Sequence, residues 1–135
     1  MQTALILRGG ENVPIDFTAS KSKHELHKSH RVVRFSEKLH SYFVACQSDF
    51  SNYPAILNDL TDICDTYISE DDMKHLLRFC SELQAIAEEV SDYSFFDRWK
   101  AFGVRQTELS IFANELSDLI HYALDSNEQI WSVGE

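Results

Sequence analysis

The chain has 135 residues, 44% of them hydrophobic and 12% aromatic, and its 22 Asp and Glu against 12 Lys and Arg give a formal net charge of −10. That length lets a single domain bury roughly two-thirds of its unfolded surface, while four glycines, two prolines and no low-complexity tract offer no linker to a second. A strongly acidic chain is repelled by phosphate backbones, so nucleic-acid partners are disfavoured.

Residues 1–20 read as an extended or hairpin arm. Ala4 to Leu7 is a short apolar run, and Gly9, Gly10 and Asn12 are turn residues ahead of Pro14. The run lacks a basic flank and is too short to cross a bilayer, so neither a signal peptide nor a membrane span is expected, and a soluble, cytoplasmic protein is.

From Lys21 to His40 the charge reverses. Six basic residues and four histidines stand against Glu25 and Glu37, a net +4, whereas the remainder sums to −14. Ser22-x-x-Glu25 reads as a capping box opening a helix over 22–47. At 100° per residue Val32, Phe35, Leu39, Tyr42, Phe43 and Cys46 share one stripe. Such a helix is ~37 Å long, and its first turns overhang the body as a cationic surface. A thinner stripe runs through Leu26, Ser29, Val33, Ser36 and His40.

The second helix is expected over 54–68, opened by Pro54, with Ile56, Leu57, Leu60, Ile63, Cys64 and Tyr67 inward. Asp59, Asp62 and Asp65 lie across from that face. Ser69-x-x-Asp72 caps a third helix over 70–91, whose first turn carries Glu70, Asp71 and Asp72, as the helix dipole favours. Ser94-x-x-Asp97 opens a short helix over 95–102 that Gly103 stops. A last helix over 107–124 turns Leu109, Phe112, Ala113, Leu116, Leu119, Ile120 and Ala123 inward, and 125–135 is a tail carrying Ile130, Trp131 and Val133. The fold class expected is mainly all-α, a single-domain bundle of four to five helices with a short extended N-terminal element.

Cys46, Cys64 and Cys80 contain no CxxC pair and fall on the apolar faces, which reads as reduced core cysteines. Glu37/His40, Asp72/His75 and Asp118/His121 resemble in spacing the Glu-x-x-His pairs of di-iron four-helix bundles. Their histidines turn away from the apolar stripes, so the pairs read as surface charges. His24 and His27 are the weak metal candidates, since a 300° step leaves them close enough to chelate together; no cofactor is expected. Arg34-x5-His40 resembles the arginine-to-histidine spacing of small helical ribonucleases of the HEPN class, with Phe35 in place of their polar residue. That resemblance implies RNA cleavage by Arg34 and His40. Phe102-Gly103-Val104 with the helix after it is similar in outline to a helix-turn-helix, which implies a regulator. The 99–124 segment nevertheless has a net charge of −1, against phosphate binding.

The function expected from the residues is that of a small acidic protein-binding module, an inhibitor, immunity or anti-defence type of factor acting by stoichiometric binding and self-associating. The binding residues expected are Lys23, His24, Leu26, His27, Lys28, His30, Arg31, Val33 and Arg34. Asp59, Asp62, Asp65, Glu70, Asp71 and Asp72 form an acidic surface suited to a basic protein partner. A homodimer would set the cationic stretch against the acidic helices of a second copy.

Overall fold

The computed structural model describes residues 14–28, 31–61, 64–88 and 101–134. Among these the fold is α+β, not the all-α bundle expected. In chain order it runs β1 (Ile15–Ser20), β2 (Val32–Phe35), α1 (Glu37–Ala45), β3 (Thr66–Ile68), α2 (Glu70–Glu88), α3 (Gln106–Ser126) and β4 (Gln129–Gly134), with short 3₁₀ turns between. The strands form an antiparallel sheet in the order β2-β1-β4-β3.

Period-two alternation, not helical period, governs the strands. In β1, Ile15, Phe17 and Ala19 point into the core. In β2, Val33 and Phe35 are buried while Val32 is 51% exposed. In β4, Ile130 and Ser132 face inward, and Trp131 and Val133 face the other way. Register locks these sets together: Phe17 lies opposite Val33 and Ser132, and Ala19 opposite Ile130. A slip of one residue would turn every core side chain to the far face.

The long first helix is therefore corrected to three pieces. Residues Lys23–Lys28 form a 3₁₀ turn, β2 follows, and only Glu37–Ala45 is α-helical. Two adjacent valines lose rotamer freedom in a helix and suit a strand, and pairing with β1 decides the matter. Ser36 then starts α1: its backbone is extended and its Oγ accepts from the Leu39 N–H at 3.2 Å. The helix expected over 54–68 becomes a 3₁₀ turn at Ala55–Asn58 followed by β3, which leaves Cys64 and Tyr67 exposed where a buried face was expected. The tail over 125–135 is the end of α3 and then β4.

The two long helices follow the sequence more closely. Ser69 caps α2, its Oγ accepting from the Asp72 N–H at 3.1 Å. Met73, Leu76, Phe79, Cys80, Leu83, Ile86 and Ala87 form the buried face of α2. In α3 the buried residues are the seven expected, Leu109 to Ala123. Gly103, with φ of +73°, stops the preceding turn in the left-handed region. Burial pushes the Cys80 thiol up to about 12, which makes it an unreactive core group. The short helix expected over 95–102 and its Ser94 cap lie almost wholly outside the described residues.

Helices α2 and α3 pack on each other, and α3 crosses the inner face of the sheet. Between them the core is aromatic. Phe43 meets Phe79 at 5.0 Å between ring centres and Phe35 at 5.8 Å, while Phe112 stacks on Phe35 at 5.1 Å. Edge-to-face and offset pairs of this kind add to area burial. The segment after α1 is held by Glu82 of α2, whose two carboxylate oxygens accept the Ser51 and Asn52 N–H groups at 2.8 Å each. Helix α3 opens on Glu108, which accepts from the Arg105 N–H at 3.0 Å and pairs with Lys38 of α1 at 2.9 Å. Among the described residues the three helices thus lie on the core side of the sheet, while Lys23 lies over Trp131 on the opposite face.

Candidate functional site

Antiparallel sheets with one solvated face ordinarily carry polar side chains there. The outer face here carries them too, in Asp16, Thr18, Ser20, Arg34 and Gln129, but sets two aromatic rings among them. Cross-strand pairing sets Val32, Thr18, Trp131 and Tyr67 in one row across β2, β1, β4 and β3. The next row holds Arg34, Asp16 and Val133. Tyr67 is 46% exposed, and its ring lies 5.3 Å from the half-buried Trp131.

Each member is positioned by its neighbours. The indole N–H of Trp131 donates to Gln129 Oε1 at 3.1 Å, which fixes the ring plane. Lys23, brought back over the sheet by the 3₁₀ turn, sets its ammonium 5.6 Å above the indole, a cation–π contact. Arg34 Nε donates to Asp16 Oδ1 at 2.7 Å across the strands. Thr18, between Val32 and Trp131 in the row, is buried, its hydroxyl donating to the Arg31 carbonyl at 3.1 Å. The ladder thus has an aromatic centre with a cationic margin of Lys21, Lys23 and Arg34, relieved by Asp16.

Beside Tyr67 the surface dips into a depression of about 410 Å³, where the start of α2, the end of α3 and the start of β4 meet. Lys21, Tyr67, Glu70, Leu124, Asn127 and Glu128 contribute to its walls. Asn127 ends α3 in the left-handed conformation, φ 58° and ψ 39°, and so turns the chain sharply into β4. A ring standing beside a hole with charged walls suits the shape of a protein partner, in which one protruding side chain enters the hole while another covers the indole.

The sequence-derived candidates scatter. Lys23 and His24 are exposed on the 3₁₀ turn, to which Leu26, His27 and Lys28 also belong by backbone; His30 lies outside the described residues. Arg31 is exposed, its guanidinium 3.8 Å from the centre of the Tyr122 ring on α3. Val33 is buried in the core at 5% exposure and cannot meet a partner. Asp59 and Asp65 are exposed in the segment between α1 and α2, Asp62 lies outside the described residues, and Glu70, Asp71 and Asp72 occupy the first turn of α2. Those last three answer the helix dipole, which is a local task.

Arg34 and His40 are not brought together. Arg34 stands on the outer face, whereas His40 lies under the sheet, 6% exposed, with its ring 4.8 Å from that of Phe35. Because a carbonyl can only accept, its Nε2–H donates to the Leu57 oxygen at 2.9 Å. Nδ1 is buried and finds no partner among the described residues. Desolvation lowers the imidazole pKa below its usual 6.5, the Leu57 contact opposing in part. A neutral ring holding two segments together is its role in this fold. The sequence reading missed Tyr67 and Trp131 as a pair, though Thr66-Tyr67-Ile68 and Ile130-Trp131-Ser132-Val133 both carry β-branched and aromatic residues in strand order.

Among the described residues no helix is long and apolar enough to cross a membrane. No protein-family model matches the chain, and no curated protein or solved structure is similar to it.

Proposed function

We propose that this chain is a protein-binding module that acts by stoichiometric capture of another protein through the outer face of its sheet. Occupancy of a partner's surface is the working mode of an inhibitor or immunity-type factor, and the reading belongs to that class. The observation that carries it is the Tyr67–Trp131 pair, with Thr18 and Val133 beside Trp131, an aromatic cluster set among the polar side chains of the sheet's outer face. Tyr and Trp are the residues on which binding energy concentrates, because they bring large contact area at little cost in side-chain entropy.

Charge narrows the partner. Lys21, Lys23 and Arg34 border the ladder, so the partner it fits presents an apolar centre ringed by carboxylates. The basic partner suggested by overall composition would instead meet α2 and α3, where acidic residues exceed basic ones.

The test is site-specific photo-crosslinking in the native host. A benzophenone side chain at position 67 or 131 is expected to yield one adduct of defined mass, and the same group at Ser81, exposed on α2, is expected to yield none. An adduct at position 81 with none at 67 or 131 overturns the assignment.

A further inference from the structure

A second concavity lies between α2 and the segment that follows α1. It encloses about 260 Å³, with Asn52, Tyr53, Pro54 and Ala55 on one side and His75 and Arg78 of α2 on the other. Three residues apart on a helix, His75 and Arg78 are neighbours on one face, and both are exposed. Among the described residues no carboxylate lines the pocket, although the chain has a net charge of −10. A cation on a helix surface ordinarily finds its counter-charge one turn away. For Arg78 that group is Glu82, and Glu82 spends its two oxygens on the Ser51 and Asn52 N–H groups. One turn the other way stands Lys74, itself a cation, 3.7 Å from Glu70. Asp71 and Asp72, one turn before His75, form no ion pair with it. Among the described residues Arg78 and His75 thus keep their donors free for something else.

We infer that this pocket binds a small organic anion, a planar ring bearing a phosphate or carboxylate group, with the anionic group on Arg78 and His75 and the ring against Tyr53 and Pro54. A guanidinium presents its N–H donors in a fixed fork that matches either oxyanion, and the imidazole supplies one more donor. The opposite wall is set before a ligand arrives. The Tyr53 hydroxyl donates to Asn58 Oδ1 at 2.8 Å, and its ring stacks on Phe50 with centres 6.3 Å apart, so little ordering cost falls on binding. Asn52 at the same wall adds an amide that can donate to an oxyanion. The volume is at the lower end for ligand clefts and suits a molecule of one ring. None of these residues belongs to the Tyr67–Trp131 ladder, so the site stands or falls apart from the capture of a protein partner.

Titration of the isotope-labelled full chain with phenyl phosphate, benzoate and benzyl alcohol, followed by two-dimensional NMR, tests it. One or both of the anions are expected to move the amide signals of Asn52, Tyr53, Ala55, His75 and Arg78 along a saturable curve, and the tighter of the two identifies the anionic group the pocket prefers. Benzyl alcohol, with the ring and no charge, is expected to move none of them. Arg78→Gln is expected to weaken the binding about tenfold or more, the loss of a charge-assisted pair, and His75→Gln to weaken it by less. Lys74→Gln removes the same charge one turn away, outside the pocket, and is expected to leave the affinity unchanged. All three positions are exposed, so the variants' spectra are expected to match the wild type's away from the substituted residue, which separates loss of the site from loss of the fold. No saturable shift with either anion, an equal response to benzyl alcohol, or a Lys74→Gln effect as large as that of Arg78→Gln overturns the assignment.

Discussion

Acidification should weaken this fold through one imidazole, and His40→Gln isolates the effect. His40 is 6% exposed, its Nε2–H is committed to the Leu57 carbonyl at 2.9 Å, and its Nδ1 is buried without a partner among the described residues. Burial disfavours the imidazolium, so the folded pKa lies below the usual 6.5. As pH falls, the unfolded chain takes up the proton first. The stabilisation is therefore complete above about pH 6.5 and declines as pH drops through the folded value, by up to ~1.4 kcal/mol per pH unit. Glutamine keeps an N–H that reaches the Leu57 carbonyl and does not titrate. Urea unfolding of both proteins between about pH 7.5 and pH 5 should show the wild type's stability relative to the variant falling toward the acid end. The carboxylates are common to both proteins and cancel. Parallel profiles, or a wild type that gains on the variant in acid, would refute the neutral buried ring.

Substitutions at two further positions probe single features of β4 and its approach. Ser132 is fully buried with its hydroxyl unpartnered among the described residues, so Ser132→Ala is expected to raise unfolding stability by about 1 kcal/mol in urea. Asn127 holds a left-handed backbone at the end of α3; Asn127→Val is expected to cost about 1–2 kcal/mol, and Asn127→Gly to be neutral or slightly stabilising, by thermal melting.

How much of this was legible in the sequence follows from which period each segment obeys. Helices α2 and α3 announce themselves, because seven buried residues apiece recur every three or four positions and Ser69 supplies an unambiguous cap. The Lys21 to His40 stretch misleads because Val32, Phe35 and Leu39 satisfy a helical stripe just as Val33 and Phe35 satisfy a strand. Four residues of β2 are too few for periodicity to choose. Pairing with β1, a long-range contact absent from local pattern, makes the choice. Once Val33 is inward, Arg34 must be outward, and His40, four residues into the α1 region beyond, falls beneath the sheet. The ribonuclease-like spacing of Arg34 and His40 is thereby divided between two faces. Tyr67 and Trp131 stand 64 positions apart in the chain and become neighbours only through the β3–β4 register. Their alternating neighbours indicate strands, but nothing local indicates which strands pair.

The surface proposed to hold the partner is the Tyr67–Trp131 ladder. Its most direct test is the affinity of the cross-linked partner, once purified, for wild type, Tyr67→Ala, Trp131→Ala and the control Ser81→Ala by calorimetry. Trp131→Ala is predicted to weaken binding ~30-fold or more, the ~2 kcal/mol of a buried aromatic anchor, with Tyr67→Ala close behind and Ser81→Ala unchanged. Equal affinity of all four proteins for the partner would contradict it.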